Sequence, residues 1–270
     1  MNEFDVPVEG GSLRVVEWPG DGPVVLAAHG ITANALSWAP VARALSGRVR
    51  LVAPDLRGRA GSAGLPGPYG MAAHAADLIA VADHLGAARV ALAGHSMGGF
   101  VVTETAARHP ERVSSVLLVD GGVRLPLPRG LDVDTALLLT IGPAMQRLSM
   151  TFPSLTDYQR FFRGNPALGR YWTSDAAAYV ARDYTGTGSS CSIDAVRADA
   201  EDMFARPAPA DFPMLYAPRG LQDEDHGLYD PEKLSGVDAE LVPDVNHYTI
   251  LLGGGASRVA GRLMEQVSHA

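Results

Sequence analysis

Residues 89–101, Arg-Val-Ala-Leu-Ala-Gly-His-Ser-Met-Gly-Gly-Phe-Val, constrain this chain more than any other stretch. Small and apolar residues up to Ala93 read as a buried strand, and Gly94-His95-Ser96-Met97-Gly98 as a tight turn. An apolar run over 100–107 then has helical character until Pro110, which lacks the N–H needed to continue it. Strand, turn and helix in that order are the setting in which G-x-S-x-G works as a nucleophile elbow. Gly94 and Gly98 leave room on both sides of a strained Ser96, because a Cβ at either place would crowd the turn. The first helical turn points free N–H groups and the positive end of its dipole at whatever Ser96 attacks.

The flanking chain alternates strands and helices. Residues 4–8 and 12–18 form short alternating segments around Glu9-Gly10-Gly11, the pattern of an edge hairpin. Residues 24–28 are continuously apolar, as a strand covered on both faces must be, and lead into His29-Gly30-Ile31-Thr32. A helix is expected over 37–45 and a strand over 49–53. The glycine-rich turn 54–62 follows, then a helix over 71–85 with Gly86 as its C′ residue. After the elbow helix, 113–119 reads as another buried strand ending at Asp120-Gly121-Gly122. Such alternation implies a parallel sheet with right-handed crossovers, an α/β fold.

The regularity stops near Gly121. Residues 122–209 hold aromatic, helix-like pieces broken by Pro143, Pro153, Gly164 and Pro166, and read as an insertion over the sheet edge where Ser96 emerges. Most of its aromatics are expected to form its own core. Residues 206–209, Arg-Pro-Ala-Pro, look like the return linker, after which strands over 213–217 and 239–242 and a helix over 256–267 close the fold. The chain therefore divides into a first core part, 1–121, a helical lid, 122–209, and a second core part, 210–270.

A serine hydroxyl needs a base within hydrogen-bond reach and a third group to orient that base. His247, on the loop after the last expected strand, is placed to fold back over Ser96. His74, His84 and His109 fall on helices and are expected to be exposed, and His226 sits in a charged, turn-rich loop. His95 is expected to point away from Ser96, and His29 to be a structural hydrogen-bonding residue. The orienting acid has two candidates at strand tips: Asp223, three residues beyond Gly220, is preferred, and Asp120 is the alternative. Asp225 and Glu224 trail behind them. Acyl transfer also needs N–H donors for an oxyanion. The backbone N–H of Met97 is one, and that of Ile31, after His29-Gly30, is the other.

Composition narrows the partners. The 270 residues carry a net charge of −8 and no basic block, which argues against nucleic acid and anionic membrane surfaces. The single cysteine, Cys191, excludes an intrachain disulfide. The N-terminal residues lack the basic and apolar regions of a signal peptide, and no run is long enough to span a bilayer, so a cytoplasmic protein is expected. Without H-E-x-x-H, clustered ligands or a phosphate-binding glycine motif, neither a metal nor a cofactor is expected. Oligomeric state stays open, with room for a homo-oligomer.

Four motifs, His29-Gly30, the turn Asp55-Leu56-Arg57-Gly58-Arg59-Ala60-Gly61-Ser62, the elbow at Ser96 and the late His247, give the whole chain a resemblance to the α/β-hydrolase superfamily. The resemblance implies a mostly parallel, eight-stranded sheet with helices on both faces and a lid after the sixth strand. Ala60 departs from the glycine usual in that turn. The spacing from Gly220 to Asp223 matches the family's acid position, whereas some relatives carry the acid after the sixth strand, where Asp120 lies. A serine at the elbow implies cleavage of a small-molecule carboxylic ester or lactone, with thioesters, carbon–carbon bonds, or cofactor-free perhydrolysis and haloperoxidation as further reactions of the fold. Some relatives are receptors, so a ligand-binding protein with an idle triad is the non-enzymatic alternative.

Overall fold

The fold is described from a computed structural model, for residues 1–123, 130–205 and 212–268. An antiparallel hairpin opens the chain, β1 (Asn2–Val8) and β2 (Gly11–Trp18). Next come β3 (Val24–Ala28), α1 (Ala39–Leu45), β4 (Arg50–Pro54), α2 (Met71–His84), β5 (Val90–His95), α3 (Met97–Arg108) and β6 (Val113–Val119). Among the described residues, the segment between β6 and the next strand is helical: α4 (Val133–Leu148), α5 (Leu155–Arg163), α6 (Pro166–Gly169), α7 (Ser174–Asp183) and α8 (Ile193–Ala205). β7 (Met214–Tyr216), β8 (Ala239–Leu241), α9 (Thr249–Leu252) and α10 (Ala256–Ser268) complete the chain. The expected linker at 206–209 lies outside the described residues.

The strands form one eight-stranded sheet in the order β1-β2-β4-β3-β5-β6-β7-β8. β2 runs antiparallel to β1 and β4, and all other pairings are parallel. β5, carrying the elbow, is therefore interior, flanked by β3 and β6. Its side chains alternate between two cores, Leu92 facing one and Ala91 and Ala93 the other. α2 and α3 pack on the first face, and α1 and α10 on the second. That double coverage explains why the interior strands β3 and β5 read as continuous runs of apolar and small residues rather than alternating ones.

Because β3, β5, β6, β7 and β8 are parallel, the loops after them all emerge at one edge of the sheet, where ligands of open α/β sheets bind. The inserted helices have their own aromatic core, in which Phe152, Tyr158, Phe162, Leu168, Tyr179 and Val180 pack with Leu252 of the sheet domain. A buried Arg147–Asp183 pair, joined by Tyr158, ties α4, α5 and α7 together. α4 is interrupted at Ile141, whose backbone leaves helical geometry (φ −126°, ψ 30°). Pro143 accounts for the break, since its ring opposes the carbonyl four residues back and it offers no N–H.

Candidate active site

Ser96 follows the last residue of β5 and immediately precedes α3, with φ 55° and ψ −123°. Non-glycine residues avoid this region, so the elbow is held in a strained conformation by its surroundings. Three glycines supply the space. A Cβ on Gly94 would lie 2.1 Å from the Gly98 carbonyl oxygen, one on Gly98 2.2 Å from the Ala28 oxygen, and one on Gly121 2.0 Å from the Ser96 oxygen. The need at Gly121 was not legible in the sequence, because it arises from β6 lying beside β5. The Ser96 N–H donates to the Val119 oxygen of β6 (3.0 Å), which fixes the turn from the other side.

His247 lies on the loop between β8 and α9 and is buried. Its Nδ1–H donates to Oδ2 of Asp120 at 2.6 Å, a bond that leaves Nε2 as the other ring nitrogen. Asp120 directly follows β6, is fully buried, and holds φ 45°. Its N–H donates to the Leu215 oxygen (2.7 Å) and its Oδ1 accepts from the Ala217 N–H (3.1 Å), so β7 braces the carboxylate. His247 and Ser96 line the same two pockets.

The preferred acid, Asp223, is corrected by this geometry. Its Oδ1 accepts from Nδ2 of Asn246 (2.9 Å), and its carboxylate pairs with Arg219 and Arg170, each at 3.3 Å. The imidazole thus reaches past β7 to β6, and the carboxylate after β7 braces the residue before His247. Asn246 in turn accepts from the Thr249 N–H (2.9 Å), while the Thr249 hydroxyl accepts from the Asn246 N–H (2.8 Å), a reciprocal cap on α9. The spacing Asn246-x-x-Thr249 was the signal that could have revealed it. Asp225 and His226 are exposed, and Glu224 accepts from the Gln222 N–H (2.8 Å).

Two further histidines differ from expectation. His95 does not simply point away: its ring lies 4.6 Å from that of His247, and its Nε2–H donates to the His247 carbonyl (2.9 Å). Burial, with the neighbouring His247 charge, holds His95 well below the usual imidazole range, so it stays neutral. His74, expected to be exposed on α2, is fully buried with Nε2 3.0 Å from both oxygens of Asp199 on α8. Its helical spacing could not show this, because the inserted α8 covers that face. His29 has the structural part expected of it. Its Nδ1–H donates to the Gly30 oxygen (2.8 Å) and its Nε2 accepts from the Leu56 N–H (2.9 Å). Burial pushes its pKa down to about 3.

Ile31 and Met97 both border the pocket that holds Ser96 and His247. Met97 opens α3, so its N–H belongs to the unpaired first turn. Gly30 brings the loop against Ser96, since a Cβ there would lie 3.2 Å from Ser96 Cβ. The cavity around Ser96 has two narrow arms of about 40 Å³ each. One is walled by Phe100, Leu137, Met203, Phe204, Leu228 and Tyr229, the other by Ala33, Tyr179, Tyr248, Leu251 and Leu252. A larger outer cavity of about 460 Å³ shares Thr32, Ile141, Ala144, Tyr179, Leu221 and Tyr248 with the second arm and adds Gln146, Arg160, Asn165 and Gln222. Among the described residues no cluster of His, Cys, Asp or Glu is arranged to hold a metal, and no helix is long and apolar enough to cross a membrane.

Residues 23–185 match the family model described as alpha/beta hydrolase fold, and the chain belongs to that family. Among relatives, a protein of Caulobacter segnis named as carbamate hydrolase RutD is 37% identical over 120 residues, 43% of this chain and 45% of that one. Lipase LipV of Mycobacterium tuberculosis is 34% identical over 127 residues, 47% of this chain and 48% of its own length. The chain thus aligns with less than half the length of these relatives. The solved structure of E-2-(acetamidomethylene)succinate hydrolase superposes with a TM-score of 0.79 at 20% identity, covering 99% of both chains, a likeness of fold.

Proposed function

We propose that this chain is a serine hydrolase that cleaves a carboxylic ester or lactone of a mid-sized, largely apolar molecule. One observation carries the reading: a serine in strained elbow geometry shares a pocket with a histidine whose far nitrogen is bonded to a buried carboxylate. In the reaction, His247 Nε2 takes the Ser96 Oγ proton as the oxygen attacks the substrate carbonyl carbon. Asp120 keeps the proton on Nδ1 and stabilises the imidazolium that forms. The N–H groups of Ile31 and Met97 receive the developing oxyanion. When the tetrahedral intermediate collapses, the bond to the leaving oxygen breaks and His247 returns the proton to it. Water then repeats the sequence on the acyl-enzyme, freeing the acid and Ser96.

The inserted helices act as the lid, since α4, α7 and α8 supply side chains to the arms beside Ser96. Their apolar walls favour short hydrocarbon or ring substituents on either side of the scissile carbonyl. The polar groups of the outer cavity suit a more hydrophilic end of the substrate. The name of LipV agrees with an ester substrate. Turnover of p-nitrophenyl butyrate and stoichiometric labelling of Ser96 by a fluorophosphonate are the expected results. Hydrolysis at the parent rate by Ser96→Ala would overturn the reading.

A further inference from the structure

The turn 55–62 and α8 meet behind Ile31, and Arg59 stands at the junction. Arg59 and Asp199 are both fully buried and form an ion pair of 2.5 Å between Nη1 and Oδ2. The rest of the guanidinium spans three neighbours, of which the loop after β3 is met by Nε. Nε donates to the Ile31 carbonyl (3.0 Å), Nη1 to the Arg57 carbonyl (2.9 Å), and Nη2 lies 4.0 Å from Met97 Sδ. Asp199 is also bonded by the Gly70 N–H (2.6 Å) and by His74. Burial alone would raise its pKa, yet the charges of His74 and Arg59 and these hydrogen bonds hold it well below the usual carboxylate range. The guanidinium therefore has a permanent anionic seat on the inserted helix.

The consequence for Ile31 follows from peptide planarity. The Ile31 N–H belongs to the peptide whose carbonyl is that of Gly30, and that oxygen accepts from His29 Nδ1 (2.8 Å) and the Ala33 N–H (3.1 Å). The next peptide is held through the Ile31 carbonyl by Arg59. With both flanking planes pinned, the direction of the Ile31 N–H is set. The support behind Ile31 is thus split between the sheet domain, through His29, and the insertion, through Asp199.

We propose, building on the serine-hydrolase reading, that Arg59 seated on Asp199 is a positioning residue for the Ile31 oxyanion donor, so that docking of α8 controls turnover. Misaimed oxyanion donors act on the transition state and leave ground-state binding nearly untouched. Arg59→Lys keeps a cation for Asp199 but has no fork that can also hold the Ile31 carbonyl. It should fold, lower kcat by about 10- to 100-fold and change KM less than about threefold. Inhibition by a trifluoromethyl ketone, which mimics the tetrahedral state, should weaken in proportion to kcat/KM. A merely structural role would instead lower the melting temperature and the titratable fraction of active sites, leaving kcat per active site intact. Asp199→Asn, nearly isosteric, supplies a second variant and should also reduce kcat per active site. Parent kcat in either folded variant overturns the proposal. Ser96→Ala, measured alongside, separates the two claims: its loss of activity with parent kcat in Arg59→Lys overturns the positioning role alone, while activity retained in Ser96→Ala overturns both.

Discussion

Replacing Asp120 with asparagine changes one heavy atom, Oδ2 to Nδ2, and tests the centre of the proposed mechanism. The asparagine Oδ1 can still accept from the Ala217 N–H, now 3.1 Å from Asp120 Oδ1, so the brace from β7 survives. Its Nδ2–H₂ then faces His247 Nδ1, where Asp120 Oδ2 now lies at 2.6 Å, and a donor there can only meet a lone pair. The imidazole must move its proton to Nε2, the nitrogen that has to receive the one from Ser96. In triads of this kind the neutral isostere costs about 10⁴ in kcat, equivalent to about 5.5 kcal/mol of barrier. Asp223→Asn is the control. It keeps an oxygen for Asn246 and loses ion pairs to Arg219 and Arg170, the latter with a 70% exposed side chain. The carboxylate itself is only 4% exposed, so losing its charge lowers stability, but it contacts Asn246 and not the His247 ring, and kcat per folded molecule should stay within about fivefold of the parent. The assay is p-nitrophenyl butyrate hydrolysis normalised by fluorophosphonate titration of the parent and by folded protein for the variants. The reasoning fails if Asp120→Asn keeps more than a tenth of parent kcat, or if Asp223→Asn shows the larger loss.

Three further outcomes follow from the same geometry. Ser96→Gly should abolish hydrolysis yet raise unfolding stability by about 1 kcal/mol in urea titration, because glycine adopts φ 55° without strain; equal or lower stability would show that the elbow stores none. Gly121→Ala should cost about 3 kcal/mol or prevent folding, since its Cβ would meet backbone atoms of Ser96 at 2.0–2.5 Å; a melting temperature like the parent's would contradict that packing. His29 and His95 are held neutral, His29 down to about 3 and His95 well below its ordinary value, mainly by burial. As their folded pKa values lie below the unfolded ones, the unfolded chain binds protons that the native chain refuses, so stability present above about pH 6.5 is lost as pH falls. His29 alone implies a loss of about 1.7 kcal/mol between pH 6.5 and 5, His95 adds to it in the same direction, and Asp199, also lowered, adds only below about pH 4. A flat urea midpoint across that range would refute the assignment.

The local signals were those the chain needs only a few residues to express. β3 has its expected bounds because a strand buried on both faces must be apolar throughout, and β6 has them because its buried run Val116–Val119 is apolar even though Ser114 and Ser115 open it. The elbow was legible because Gly94, Ser96 and Gly98 sit within one turn, and the clash distances follow from that turn being tight. The position of His247 was legible because the loop after the last parallel strand emerges at the same sheet edge as Ser96. Burial of His74 was not, because its partner Asp199 is contributed by an insertion more than a hundred residues away in sequence.

Sequence alone thus determined the class of fold, the strained serine and the histidine facing the same pocket, since each rests on local sterics and hydrophobic periodicity. Tertiary structure decided which carboxylate meets the imidazole. Asp120 and Asp223 are both strand-tip aspartates, and only the order β5-β6-β7-β8 and the bracing of Asp120 by Ala217 distinguish them. It also brought Arg59 and Asp199 together behind Ile31, a pairing that no local pattern specifies because long-range burial of opposite charges has no sequence period.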